Sequence, residues 1–230
     1  MIKNNLLIWI ARRLPEQRPD LPRLLEEFKQ SAMYINGRYD EYNAFSRLSE
    51  MVVHSALEEI CRQLGDRVEF NPIKAGESAG PFVFQESPRG NILVSYADNG
   101  NHYSEFDDLL VVDDLPVLFE VKLGGKRYKG KKRYIPSKDG QLINQSNLGV
   151  GHSIGMERID HLLAPLKEYF TCSDCGYVLV TDPEVVEQNS QSARTLFEEN
   201  NGMYVPFYTS KINFRLEILR LKHMHGLYFN

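Results

Sequence analysis

Residues 105–122 read Glu105-Phe106-Asp107-Asp108-Leu109-Leu110-Val111-Val112-Asp113-Asp114-Leu115-Pro116-Val117-Leu118-Phe119-Glu120-Val121-Lys122. Two apolar runs, 109–112 and 115–119, flank a short polar break, which is the pattern of a β-hairpin. With Asp113 and Asp114 as a two-residue loop, Val112 faces Leu115, Leu110 faces Val117, and Asp107 falls opposite Glu120. Side chains alternate along a strand, so Lys122 shares the face of Glu120. Cβ atoms of directly opposed residues lie roughly 4.5–5.5 Å apart, and two carboxylates so placed repel unless a cation lies between them. Mg²⁺ suits such a pair, because it takes carboxylate oxygens and keeps several waters. A three-residue loop would instead bring Asp108 opposite Glu120, so Asp108 stands as the alternative ligand.

The residues around this hairpin extend the pattern. A helix over about 42–64 carries Leu48, Val52, Val53, Leu57, Ile60 and Leu64 at helical spacing, and Glu50 stands at the edge of that apolar face. A carboxylate there is costly without a partner. Downstream, residues 124–138 hold Lys126, Arg127, Lys129, Lys131, Lys132, Arg133 and Lys138, no acids, and the aromatics Tyr128 and Tyr134. Cations of this kind supply the salt-sensitive part of nucleic-acid affinity, and Tyr stacks on bases. A chain of net charge −4 has no general attraction to nucleic acid, so a cationic cluster beside an acidic one is a local feature.

The acid of Glu105-Phe106-Asp107, the E-x-K of Glu120-Val121-Lys122 and the apolar hairpin between them resemble the PD-(D/E)XK nuclease superfamily. The resemblance covers mainly 42–122, and no Pro precedes Asp107. It implies a restriction-endonuclease-like α/β core, a mixed central β-sheet flanked by helices. It also implies Mg²⁺, with Mn²⁺ as substitute, held by Asp107, Glu120 and the Val121 carbonyl. Lys122 would orient the attacking water, and Glu50 would hold a second ion or orient Lys122. The implied activity is Mg²⁺-dependent hydrolysis of phosphodiester bonds, most simply in DNA, with Lys126, Arg127, Tyr128, Lys129, Lys131, Lys132 and Arg133 contacting the nucleic acid.

Two other readings compete. One is a nuclease-like module that binds nucleic acid or a partner protein without cutting. The other is a serine hydrolase: Gly151-His152-Ser153-Ile154-Gly155 matches G-x-S-x-G, and Asp182 and His223 follow in triad order. That motif needs a buried strand before the Ser, and residues 141–147 read as too polar for one. Ser153 is then expected to cap the helix that follows it.

With 230 residues and 42% hydrophobic content, the chain can bury a large core. The simplest division is an N-terminal helical arm over 1–41, with helices at about 4–13 and 21–35, and a nuclease-like core with a C-terminal strand extension over 42–230. The arm offers apolar stripes to the core or to a second copy in a homodimer. Strands are expected at 67–70, 82–85, 92–96, 177–180, 204–208 and 212–218, and helices over 153–170 and from Asp182 to near Gly202. The apolar run 6–11 is too short for a membrane span and precedes Arg12-Arg13, so a cytoplasmic protein without a membrane partner is expected. Three cysteines argue against a disulfide framework, and Cys172-x-x-Cys175 lacks the further ligands of a zinc site.

Overall fold

Asn4 shows how the first helix is fixed. Its side-chain oxygen accepts from the Leu7 amide at 2.9 Å and caps α1 (Asn5–Arg13), while its amide nitrogen donates to the Val112 carbonyl at 3.0 Å. The helix start is thereby pinned to the hairpin tip. The computed structural model describes residues 4–31, 41–87, 91–122, 134–136, 142–144, 152–154, 156–181, 198 and 202–207. Helix α2 (Leu21–Gln30) is capped by Asp20, and α3 (Glu41–Leu64) follows. Leu6, Leu7, Ile10, Leu24, Leu25 and Phe28 of the first two helices are buried in one cluster with Leu48, Val52, Val53 and Leu57 of α3. Of the two destinations open to the apolar stripes, the core is the one they occupy.

Strands β1 (Val68–Phe70), β6 (Asp108–Val112), β7 (Leu115–Lys122), β11 (Gly176–Thr181) and β12 (Gly202–Pro206) lie in that spatial order. The first three pair antiparallel, and β7, β11 and β12 pair parallel, so the sheet is mixed. Alternate residues serve different layers. Val117, Phe119 and Val121 face α3 and the N-terminal helices, whereas Leu118 faces the other side. Along β11, Val178 and Val180 join the first cluster and Tyr177 and Leu179 the second. Burial on both faces explains why these strands read as nearly continuous apolar runs.

Between β1 and β6 the chain makes a separate antiparallel meander, β2 (Ser78–Ala79), β3 (Phe82–Glu86), β4 (Ile92–Tyr96) and β5 (His102–Phe106). Its apolar face packs with α4 (Met156–Tyr169) on the second side of the central sheet. Pro165 lies inside α4 and has no N–H to give the carbonyl of His161, four residues back. That carbonyl accepts instead from the Tyr103 hydroxyl at 2.7 Å, and the Tyr103 ring stacks on His161 at 4.1 Å between centroids. A third antiparallel sheet orders β10 (His152–Ile154), β9 (Leu142–Asn144) and β8 (Tyr134–Pro136).

Several expectations are corrected. The hairpin begins at Asp108, because Glu105 and Phe106 belong to the meander and Asp107 is a bend between the two sheets. Residues 142–144 form β9, and Ser153 sits within β10 rather than capping a helix that starts at Met156. Antiparallel pairing supplies what apolar character does not: Ser153 stands opposite Ile143. α2 ends at Gln30, and β12 starts and ends two residues before the expected strand at 204–208. The expected strand at 212–218 and the helix after Asp182, save Glu198, lie outside the described residues. Among the described residues no helix is long and apolar enough to cross a membrane.

Candidate functional site

The hairpin turn decides the register of β6 against β7. Asp113 and Asp114 have φ of 46° and 64°, the left-handed pair of a type I′ turn, so the loop has two residues and the three-residue alternative does not occur. Val112 pairs with Leu115, Leu110 with Val117 and Asp108 with Phe119. The ladder of β6 with β7 ends at that pair: Asp107 is the bend that precedes it, and Glu120 pairs across β7 with Leu179 of β11.

Donors from both sheets hold Asp107. Its Oδ2 accepts from the Val121 amide at 2.8 Å and its Oδ1 from the Asn91 side-chain amide at 3.2 Å. Asn91 enters β4 and is buried, its own amide donating to the Ser87 hydroxyl at 3.1 Å. The meander therefore reaches back to position an acid at the mouth of the central sheet.

Helix α3 supplies the facing wall. Arg47, Glu50, Met51 and His54 recur at intervals of three and four and line one cleft of about 220 Å³ with Asn91, Asp107 and Asp108. Leu24 and Glu27 of α2 close another side. Glu50, only 12% exposed, accepts from Arg47 Nη1 at 3.2 Å, and the same nitrogen donates to Asn91 Oδ1 at 3.2 Å. A chain of polar contacts thus runs from Glu50 through Arg47 and Asn91 to Asp107.

Asp108 points to the α3 side. Its carboxylate is 2% exposed, lies 2.6 Å from His54 Nδ1 and accepts from the Asn71 side-chain amide at 3.4 Å. Asn71 has φ of 45°, and its side-chain oxygen accepts from the Leu109 amide at 2.7 Å, so it clips β1 to the start of β6. Burial drives the Asp108 carboxyl above its usual range, against the hydrogen bonds from His54 and Asn71. Burial pulls His54 down, but the hydrogen bond and charge of Asp108, with the charge of Glu58, outweigh it and leave the imidazole above 6.5. Both displacements have one consequence: the pair retains its proton to higher pH.

Of the residues singled out in the sequence, Glu50, Asp107 and Asp108 share the cleft. Glu120 is partly exposed and is not among the lining residues. Val121 contributes its amide to Asp107. The backbone of Lys122 ends β7 opposite Thr181, and its side chain lies outside the described residues, as do Lys126, Arg127, Tyr128, Lys129, Lys131, Lys132 and Arg133. Among the described residues no three His, Cys, Asp or Glu side chains are gathered as a ready metal-holding group. Sequence reading missed Arg47, His54 and Asn91. The spacing Arg47-x-x-Glu50-Met51-x-x-His54 was the available signal for the helical pair, whereas nothing local marks Asn91.

The remaining motifs resolve simply. Ser153 lies in a short antiparallel sheet, and Asp182 and His223 lie outside the described residues. Cys172 and Cys175 are free thiols 3.6 Å apart before β11. Comparison of the chain with protein-family models, with curated proteins and with solved structures finds no match.

Proposed function

We propose that the protein is a metal-dependent nuclease that hydrolyses phosphodiester bonds, most simply in DNA, and that Asp107, Glu120, Lys122 and Glu50 form its centre. The observation that carries this reading is the cleft that Asp107 and Glu50 line together, with the amide of Val121, the residue after Glu120, donating to Asp107 at 2.8 Å. The order of elements supports it: α3, then β1, β6 and β7 antiparallel, then α4 and β11 parallel to β7, is the helix, hairpin, helix, strand succession of a restriction-endonuclease-like core.

A divalent cation fits the donor chemistry of this cleft. Glu50 and Asp107 offer hard carboxylate oxygens to it. Asp107, Glu120 and the Val121 carbonyl would hold Mg²⁺ or Mn²⁺, with Asp108 fixed behind them by His54. Such an ion polarises a phosphoryl oxygen and lowers the pKa of a water. In this reading the Lys122 amine orients the water that attacks phosphorus, the bond from phosphorus to the leaving oxygen breaks, and that oxygen takes up a proton. The cationic segment from Lys126 to Arg133 would hold the flanking phosphates.

The test is incubation of linear, circular, single-stranded and duplex DNA with the purified protein and Mg²⁺ or Mn²⁺. Wild type should cut, and Glu120→Ala and Lys122→Ala should lose activity by roughly 10²-fold or more, as removal of an electrostatic stabiliser does. Equal cleavage by all three proteins refutes the assignment.

A further inference from the structure

Glu50 and Asp107 stand in one cleft with Asp108 buried behind them, and unscreened carboxylates at such burial raise one another's energy. Arg47 is the guanidinium that answers them. It is 18% exposed, contacts Glu50 directly at 3.2 Å, and reaches Asp107 through the Asn91 amide, whose oxygen and nitrogen face Arg47 and Asp107 respectively. A planar guanidinium meets two acceptors at fixed angles, which suits it to this bridging place. The Glu50 oxygen that faces Arg47 is also a hard donor facing the cleft, so a cation that takes this carboxylate does so in competition with Arg47.

We propose that Arg47 is a built-in counter-cation of the cleft, which competes with a divalent ion for Glu50. This rests on the nuclease reading for the identity of the ion, not for the competition itself. That competition sets the concentration at which the site fills. Removing the positive charge at position 47 lowers the cost of loading, because Glu50 no longer gives up a partner. Coupling of this kind between two ligands of one site is commonly about 5- to 150-fold.

The experiment is calorimetric titration of the metal-stripped full chain with Mn²⁺ alone, without nucleic acid. Arg47→Met and Arg47→Gln are compared with wild type, and Asp107→Asn locates the binding. Gln keeps hydrogen-bonding capacity toward Glu50 and Asn91 but not the charge, so it preserves the test if the Met variant does not fold. Both variants are expected to bind Mn²⁺ more tightly, by on the order of tenfold, and Arg47→Lys to remain near wild type. A folded variant, by circular dichroism, with unchanged or weaker Mn²⁺ affinity overturns the proposal. If wild type binds Mn²⁺ but cuts no DNA, the nuclease reading fails while the titration still decides the role of Arg47. If wild type binds no Mn²⁺, a gain of binding in Arg47→Gln supports the competition and its absence overturns it.

Discussion

His54→Ala should destabilise the protein by about 2–3 kcal/mol at pH 6, because it strands a carboxylate that has almost no access to water. Asp108 is 2% exposed and its closest partner is His54 Nδ1 at 2.6 Å. Breaking a fully buried pair costs about 3–5 kcal/mol, while an exposed one is worth about 0–1 kcal/mol. The His54 side chain is 46% exposed, so solvent screens part of the pair and the expected loss lies between these limits. The pH dependence follows from the direction of the shift. The folded imidazole is raised above 6.5, so the native state binds more protons than the unfolded chain over that window. The ionic contribution is fully present below 6.5 and fades as pH rises through the folded value. The raised Asp108 carboxyl has the same sign at lower pH. Above the window the neutral imidazole still donates to the carboxylate, so the loss at high pH is smaller but not zero. Urea denaturation in EDTA at pH 6 and pH 8.5 measures both values, and the pH 6 loss corresponds to a fall in Tm of roughly 5–10 °C for a chain of this size. A double-mutant cycle with Asp108→Asn should return most of the loss as coupling. A His54→Ala effect below about 0.5 kcal/mol at pH 6, or one that grows with pH, refutes the reasoning.

Two further outcomes are expected. Asn71→Ala should cost more than Asn71→Gly, by about 1 kcal/mol, because φ of 45° is strained for Ala although both lose the bonds to Leu109 and Asp108; equal denaturation midpoints would contradict this. Replacing Asp113-Asp114 by Asn-Gly should raise stability by up to about 1 kcal/mol, since both positions are left-handed and the Arg67–Asp113 ion pair at 3.5 Å is exposed; a lower midpoint would contradict it.

The central hairpin was legible because its signals are local. Two apolar runs around Asp113-Asp114 fix a turn type, and the turn fixes the register from Val112 and Leu115 down to Asp108 and Phe119. The apolar spacing of α3 was equally local, and Glu50 came with it. The meander was only half legible, since Glu105 and Phe106 run without a Gly or Pro into Asp107 and Asp108. No residue there announces that the chain changes sheets. The bend becomes intelligible only with the tertiary contacts in view, where Asp107 is gripped by Val121 from one sheet and Asn91 from the other.

That grip also explains the missed residues. Arg47 and His54 looked like ordinary polar positions on an amphipathic helix, because the contacts that tie them to the cleft are distant in sequence: Arg47 meets Asn91 at a separation of 44, and His54 meets Asp108 at 54. Such partners are chosen by burial rather than by sequence proximity. Once the fold brings carboxylates into a cleft, each must be given a donor or neutralised. Glu27 has Arg23, Glu50 has Arg47, Asp107 has Asn91 and Val121, and Asp108 has His54 and Asn71. In a cleft provisioned in this way the attraction of a cation to the acids is opposed by the donors already in place. An entering cation must outbid particular donors, and the donors it displaces determine the affinity and the order in which the site is filled.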